Sequence, residues 1–179
     1  MYEEQTDPYL IHSDVFSSTE DKLVKDTLQF LLVSKNDNDS IEFDDDGDLV
    51  TNRPERLDII LVHRNETNIV QCGYQLWNGC LLLCDYLLTN LNRFRNRIVL
   101  ELGAGVGLCT VLASRFAAKV ISTDYDSDLL EIIRENVRLN EGICRNECVQ
   151  IEKLNWKQYD CDAIDNEIEI IIAADGIYQ

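Results

Sequence analysis

The sequence predicts an α/β domain that is built on a largely parallel β-sheet. Apolar strands and helices alternate along residues 98–174, which is typical of strands joined by helical crossovers. The strands are short continuous apolar runs, as in sheets that are covered on both faces. A glycine-rich turn joins the first of these strands to the next helix. Because parallel strands need right-handed crossovers, we expect helices on both faces of the sheet.

The first 55 residues are predicted to form an acidic, loosely structured segment, and residues 56–179 a separate domain. A short helix is predicted over residues 21–33 of the first segment. Residues 34–40 are polar and have the composition of a linker.

Hydrophobic periodicity predicts the remaining elements in chain order. Residues 56–64 are an apolar run bounded by charges, which predicts a strand. Apolar residues from Leu76 to Leu91 recur at spacings of three and four, which predicts a helix ending near residues 90–92. The elements predicted after it are a strand at 98–102, a helix at 106–118, a strand at 120–123, a helix at 126–140, and strands at 148–151 and 168–174.

Composition and charge exclude several classes of protein. The chain of 179 residues has 33 acidic and 16 basic side chains and a net charge of -17, so it repels phosphate and favours basic protein surfaces as partners over nucleic acid. No apolar run reaches the ~18 residues of a membrane span, and the acidic N-terminus lacks the apolar region of a secretory signal. We therefore expect neither a membrane span nor secretion.

The cysteines predict a reducing compartment, either the nucleus or the cytoplasm. There are seven, an odd number, and no CxxC pair occurs. Most are expected to be small core residues. Cys144 and Cys148 are four apart, but neither histidine is close in sequence, so no metal site is predicted.

The strongest motif is the turn after the strand at 98–102. Gly103 permits a sharp turn, and Gly105 lacks a side chain, so that a ligand can lie against the backbone. The spacing is GxGxG, and Leu108 stands where the dinucleotide fingerprint has its last glycine. Glu101 would repel a pyrophosphate but suits a cationic amine or sulfonium, and S-adenosylmethionine (AdoMet) carries both. The alternative is a simple tight turn.

Further candidates follow the next strands. Asp124 ends the second strand, where a carboxylate can accept hydrogen bonds from ribose hydroxyls or cap the next helix. Tyr125 could stack on adenine or be an ordinary surface residue. Trp156 and Trp77 could wall an adenine pocket or anchor the core.

Asp175 follows the strand at 168–174. Ligands of parallel sheets bind at the carboxyl ends of the strands, so we expect Glu101, Asp124, Trp156 and Asp175 to converge on one edge of the sheet.

Together these motifs resemble the family 16 (methyltransferase-like) branch of the class I AdoMet-dependent methyltransferases, which mostly modify lysine in proteins. The resemblance covers roughly residues 42–179. It is carried by the helix that bears Trp77, by the ELGAGxG loop at Glu101–Gly107, and by the acid-x-x-aromatic motif at Asp175–Tyr178.

The resemblance implies AdoMet as cofactor and a protein lysine as substrate, and the acidic charge of the chain suits a lysine that is presented on a basic surface. Gly103 and Gly105 would line the methionine end near Glu101, Asp124 would hold the ribose, Trp156 would border the adenine, and Trp77 would close the pocket. Tyr125 and Ala174 complete the predicted cofactor contacts. Asp175 and Tyr178 would face the substrate lysine and are the predicted catalytic pair.

The chain departs from the family pattern in two residues and in length. Asn155 stands where an Asp is common, and Gln179 where an acid is common. The Rossmann-like sheet of this family has seven strands, whereas the predicted strands number about four. We therefore expect a fragment or truncated isoform that is poorly soluble or inactive unless more chain or a partner covers the last strand.

Two alternatives to the enzyme stay open at this point. One is a non-catalytic AdoMet-binding or interaction module. The other is a nicotinamide oxidoreductase, against which the GxGxG spacing and Glu101 argue.

Overall fold

The computed structural model describes residues 10–12, 22–32, 55–158 and 167–176, and every structural statement below refers to these residues. The strands are β1 (Leu10–His12), β2 (Leu23–Leu32), β3 (Glu55–Arg64), β4 (Glu66–Asn68), β5 (Ile98–Leu102), β6 (Lys119–Asp124), β7 (Val149–Lys153) and β8 (Ile170–Ala173). The α-helices are α1 (Asn78–Thr89), α2 (Leu91–Phe94), α3 (Leu108–Ser114) and α4 (Ser127–Leu139). Short 3-10 helices span Ile69–Tyr74, Asn146–Cys148 and Trp156–Gln158.

The central sheet has the strand order β7-β6-β5-β8, and all its pairings are parallel. Its register sets Val99 of β5 beside Val120 of β6 and Ile170 of β8. Val99 and Val120 are completely buried, as expected for short apolar strands in the centre of a parallel sheet. The predicted α/β fold with about four parallel strands is therefore confirmed, and β8 forms one edge of the sheet within the described residues.

The three longer helices form one layer, because α3 packs against both α1 and α4. The expectation of helices on both faces is thus not met in the described part of the chain. The physical reason is that β6 and β7 are added successively on the same side of β5. Right-handed crossovers in one direction leave their helices on one face. All residues of α3 are buried, so this helix forms the middle of the layer.

The predicted helix over residues 21–33 is wrong, since this segment contains β2, which pairs antiparallel with β3 along its whole length. Alternate residues of β2 face inward, and Phe30 is buried among them. Asp26 interrupts the inward apolar row, and its carboxylate lies 3.0 Å from Nε2 of the buried His63 on β3. Residues 23–32 are therefore part of the folded unit, while the predicted boundary at residue 55 stays a prediction.

Two asparagines hold the hairpin against the helical layer, Asn136 within α4 and Asn140 at its C-cap, and we call them the amide clamp. The Asn136 amide accepts a hydrogen bond from the Val62 N–H at 2.7 Å and donates to the Val62 and Val106 carbonyls. The Asn140 amide does the same for the N–H and carbonyl of Ile60. Backbone N–H and carbonyl groups on the edge of β3 that faces away from β2 are thus hydrogen-bonded to side chains.

The remaining predicted elements agree with the structure to within a few residues. The helix predicted from Leu76 begins instead at Asn78, because Gln75 and Trp77 have extended backbone angles. The helix predicted over 106–118 is reduced to α3. No helix in the described residues combines the length and apolarity that crossing a bilayer requires.

Candidate functional site

A cavity of about 490 Å³ opens at the carboxyl ends of the parallel strands. It is bounded by the 3-10 helix Ile69–Tyr74, by the start of α1, by the glycine turn after β5, and by the segments that follow β6, β7 and β8. Nine of the ten predicted site residues line it, namely Trp77, Glu101, Gly103, Gly105, Asp124, Tyr125, Trp156, Ala174 and Asp175. The tenth, Tyr178, lies outside the described residues. The structure brings the nine together, and their individual roles stay predictions.

The glycine turn adopts left-handed backbone angles, with φ of 65° at Gly103 and 55° at Gly105. A Cβ at Gly105 would lie 2.9 Å from the Gly73 carbonyl oxygen, so glycine is needed there for the approach of the 3-10 helix. A Cβ at Gly103 would lie 3.2 Å from the indole ring of Trp156. At Gly105 the missing side chain therefore makes room for the backbone of the 3-10 helix, where a ligand was expected. At Gly103 it makes room for the indole ring of Trp156.

Glu101 is a buried carboxyl group at the tip of β5, and only 3% of it is exposed. Burial raises the pKa of Glu101 to about 8, and the neighbouring charge of Asp124 acts in the same direction. The Thr110 hydroxyl donates a hydrogen bond to Glu101 and opposes this rise. The oxygen of Thr110 lies 2.6 Å from the Ser122 hydroxyl. No cation is paired with Glu101 among the described residues, so a positively charged ligand beside it would favour its ionised form.

Asp124 is the last residue of β6, the strand next to β5 in the sheet. Its carboxylate accepts hydrogen bonds from the Gly105 N–H at 3.0 Å and the Asp126 N–H at 3.1 Å. Burial raises the pKa of Asp124, and these backbone donors lower it. The N-cap of α4 is Asp126, whose side chain accepts from the Asp128 N–H, so Asp124 does not cap that helix. Asp124 instead links β6 to the glycine turn and keeps further acceptor positions toward the cavity.

Asp175 has a left-handed φ of 47° and follows β8. Its carboxylate lies against Gly79 in the first turn of α1, where a Cβ would come within 2.3 Å of a carboxylate oxygen. Helix N-termini favour negative charge because their first N–H groups lack partners within the helix. Gly79 therefore lets Asp175 sit at the start of α1, a contact that sequence reasoning missed.

The three aromatic residues occupy different positions around the cavity. Trp77 is the N-cap residue of α1, and its indole N–H donates to the Cys72 carbonyl at 2.9 Å. Tyr125 is 56% exposed, and its hydroxyl donates to the Val70 carbonyl at 3.3 Å. Trp156 is 49% exposed and lies over Gly103 and Gly176. Trp156 is thus a wall of the cavity and not an anchor of the core.

Sequence reasoning missed several residues of the cavity wall. Cys72 and Gly73 belong to a 3-10 helix that carries no recognisable motif, Gln75 is its C-cap residue, and Lys157 follows Trp156. Cys80 could have been found, because it shares the apolar face of the helix that starts after Trp77.

The charge of the cavity is negative. Three carboxyl groups, those of Glu101, Asp124 and Asp175, line it against one basic side chain, that of Lys157. Such a surface suits a cationic ligand and disfavours a polyphosphate.

Comparison with known proteins gives matches to methyltransferases. A family model described as "Lysine methyltransferase" matches residues 55–179. Human Methyltransferase-like protein 22 is 38% identical over 106 residues, which are 58% of this chain and 26% of that protein. Mouse Protein-lysine methyltransferase METTL21E is 31% identical over 111 residues, covering 59% of this chain and 45% of that protein.

One similar solved structure is the Trypanosoma brucei PRMT1 enzyme-prozyme heterotetrameric complex with AdoHcy. It has a TM-score of 0.44 and 23% identity, covering 59% of this chain and 30% of that chain. The chain spans about a quarter of the length of the human and mouse Methyltransferase-like protein 22.

Within the family, the sequence itself predicts most similarity to Methyltransferase-like protein 22, from the acidic element at residues 43–49, the helix bearing Trp77, and residues 173–175. The resemblance to this protein is confirmed, since the human and mouse proteins of that name are among the matches. The match over residues 55–179 covers more than half of the chain, and the chain therefore belongs to the lysine methyltransferase family.

Proposed function

We propose that this chain binds AdoMet in the cavity at the carboxyl ends of the strands and transfers its methyl group to a lysine side chain of a protein. The observation that carries the proposal is the pair of buried carboxyl groups, Glu101 and Asp124, on adjacent strand tips beside the glycine turn. Family membership supports the same reaction.

The residues of the cavity fit this cofactor. A volume of about 490 Å³ is in the range of small-molecule sites, about 300–1,000 Å³. The carboxyl groups complement a ligand that carries an amine and a sulfonium, and Trp156 and Tyr125 offer aromatic surface to a purine. When bound, AdoMet supplies a methyl group activated by attachment to a positively charged sulfur.

Asp124 is the proposed ribose acceptor. A carboxylate has about four acceptor positions, and the backbone N–H groups of Gly105 and Asp126 donate to two of them, while the Tyr125 N–H also favours the ionised form. An acceptor position that the backbone leaves open can accept from a ribose hydroxyl. Because those backbone bonds also fix the carboxylate, its orientation is set before a ligand binds.

Glu101 is the proposed charge partner of the cofactor. Its pKa of about 8 means that, without a cation beside it, Glu101 is a largely neutral acid near pH 7. A cation placed beside it favours the ionised form, so ligand binding is expected to release a proton from Glu101.

On the substrate side, the lysine must be neutral to attack, and its reference pKa is ~10.4. We propose that the lysine loses its proton to water as it enters the cavity, and that Asp175, held at the start of α1, orients the amine. Tyr178 is proposed to accept or donate a hydrogen bond to the neutral amine. The enzyme's contribution is mostly alignment and partial removal of water.

A protein substrate that presents its lysine on a basic surface is the proposed partner, because the chain carries a net charge of -17. Nucleic acid is not a proposed partner, for the same electrostatic reason. The nucleus or cytoplasm is the proposed location, supported by six cysteines in the described residues that are all free thiols.

The test combines binding with methyl transfer. Calorimetry of the purified chain with AdoMet should show one site, and the labelled methyl group of AdoMet should appear on lysine when the chain is added to a cell lysate. Binding without transfer would favour the non-catalytic module, and a preference for NAD over AdoMet would favour the oxidoreductase. Absence of AdoMet binding by a folded chain would overturn the proposal.

A further inference from the structure

Three cysteine sulfurs converge behind the cavity, although the cysteines are spread over 30 residues of sequence. Cys80 Sγ lies 3.5 Å from Cys109 Sγ, and Cys84 Sγ lies 3.7 Å from the same atom. All three sulfurs lie within 4.8 Å of one another. We call Cys80, Cys84 and Cys109 the thiol cluster.

The geometry of the helices explains this convergence. Cys80 and Cys84 are four residues apart on α1, and side chains at this spacing lie one above the other on one helix face. That face packs against α3, whose second residue is Cys109. Two neighbouring thiols on one helix and one on the other therefore meet at the contact between the helices.

Another buried cysteine shows that burial alone does not bring sulfurs together. Cys144 is 7% exposed, and its thiol donates a hydrogen bond to the Val111 carbonyl at 3.6 Å. It is not part of the thiol cluster. Cys144 is a core cysteine of the expected kind, while the thiol cluster places three soft ligand atoms around one point.

The separations match those of thiolates on a zinc ion. A tetrahedral zinc with Zn–S distances of about 2.3 Å sets its sulfur ligands about 3.8 Å apart. The two separations of 3.5 and 3.7 Å lie close to that value. Small side-chain rotations would bring the third separation, between the sulfurs of Cys80 and Cys84, to the same value. Thiolate ligands select zinc and copper(I) over calcium or magnesium.

The surroundings favour a divalent ion over a monovalent one. Cys84 and Cys109 are completely buried, whereas Cys80 also lines the cavity, which it shares with Glu101 and Asp175. An ion that offsets three thiolates beside two carboxyl groups is held more strongly with a charge of two than of one. The cavity side of Cys80 leaves room for a fourth ligand such as water.

We propose that Cys80, Cys84 and Cys109 form a zinc site that joins α1 to α3 behind the cavity. This site is separate from the methyl-transfer proposal, because its ligands are thiols and its readout is metal binding. Filling it would fix the start of α1, which carries Trp77 and contacts Asp175.

The test uses the purified 179-residue chain, stripped of metal by a chelator and kept reduced. Titration with Co²⁺, which absorbs where Zn²⁺ is silent, should give thiolate-to-cobalt charge-transfer absorption that saturates at one ion per chain. One equivalent of Zn²⁺ should abolish that absorption and raise the melting temperature. Cys109→Ala should remove the absorption, because Cys109 contacts both other sulfurs. The matched control Cys148→Ala, outside the cluster, should keep it.

Circular dichroism establishes that each variant is folded. Since Cys109 is buried, Cys80→Ala provides a second variant at a half-buried position, and it should weaken cobalt binding at least tenfold. The proposal is overturned if the folded wild-type chain shows no charge-transfer absorption with Co²⁺. It is equally overturned if Cys80→Ala and Cys148→Ala reduce the absorption to the same extent, or if the chain binds copper(I) but not Zn²⁺.

Discussion

The amide clamp and the cavity carboxyl groups both bury polar side chains, but they differ in how those groups are satisfied. Asn136 and Asn140 are almost fully buried, and their amides are paired with the backbone of β3 on both oxygen and nitrogen. Glu101 is buried to the same degree, yet its main protein partner is one hydroxyl, and burial raises its pKa to about 8.

This difference distinguishes polar side chains that are buried to hold the fold together from polar side chains that are buried to bind a ligand. A neutral amide with all its hydrogen bonds made stabilises one packing arrangement and requires nothing further. An acid that is buried without a cation makes its ionised form unfavourable until a positive partner arrives. We therefore expect the clamp to respond to mutation through stability, and the cavity to respond through pH dependence and ligand binding.

The largest expected effect is in the clamp. Asn136→Leu keeps the side-chain size but leaves the Val62 N–H and the Val62 and Val106 carbonyls without their partner. Each unsatisfied buried group costs about 1–3 kcal/mol, so the loss of a partner for three groups should lower the free energy of unfolding by roughly 3–9 kcal/mol. Urea denaturation measures this free energy, and Asn92→Leu, at an exposed site of α2, is the control. Equal stability of the two variants would show that the clamp does not hold the hairpin.

Glu101→Gln should change how stability depends on pH. Burial raises the pKa of Glu101 from 4.5 to about 8, so between these values the folded state keeps a proton that the unfolded state has released. The wild-type chain therefore loses stability as the pH rises from about 4.5 to 8, by roughly 3–5 kcal/mol in total. Glu101→Gln should lack this loss, while Glu147→Gln at an exposed site should retain it. Parallel stability curves for the wild-type chain and Glu101→Gln over this pH range would contradict the assignment.

Gly105→Ala tests the close approach of the 3-10 helix to the glycine turn. The left-handed φ of 55° and the contact with the Gly73 carbonyl should together lower stability by about 2 kcal/mol. Gly142→Ala is the matched control, because nothing lies within 4 Å of a Cβ built there. Thermal melting compares the two, and a neutral Gly105→Ala would mean that the turn relaxes at little cost.

Asp124→Ala should weaken AdoMet binding by about tenfold or more, the loss expected when hydrogen bonds to a charged acceptor are removed. Tyr178→Phe should leave AdoMet affinity unchanged and reduce turnover, since its proposed partner is the substrate amine. Calorimetry on both variants, with melting curves to establish that they fold, provides the comparison. Unchanged AdoMet affinity in Asp124→Ala would remove the ribose assignment.

The sequence predicted correctly the elements whose hydrophobic pattern matches their burial in the fold. The strands at 98–102 and 120–123 are continuous apolar runs in the centre of the sheet, and both were located within a residue or so. The elements outside the parallel sheet were harder to predict. The helix predicted over 21–33 failed because Asp26 interrupts the alternation of β2, and its pairing with His63 is invisible in sequence.

The candidate site shows the same division. Residues that directly follow parallel strands could be predicted to converge, because such strands end at one edge of the sheet. The positions of Gly73 and Gly79 could not, because they follow from the packing of the 3-10 helix against the glycine turn and of Asp175 against α1.

By itself, the order of apolar runs, glycines and acids along the chain determined the parallel sheet and the family to which the chain belongs. The sulfur separations of the thiol cluster, the partners of the amide clamp and the pKa of Glu101 were decided only by the tertiary structure. The physical reason is how far apart along the chain the contacting residues lie. Periodicity reports which face of an element is buried, whereas side-chain contacts that join residues 25 to 80 positions apart depend on how whole elements pack.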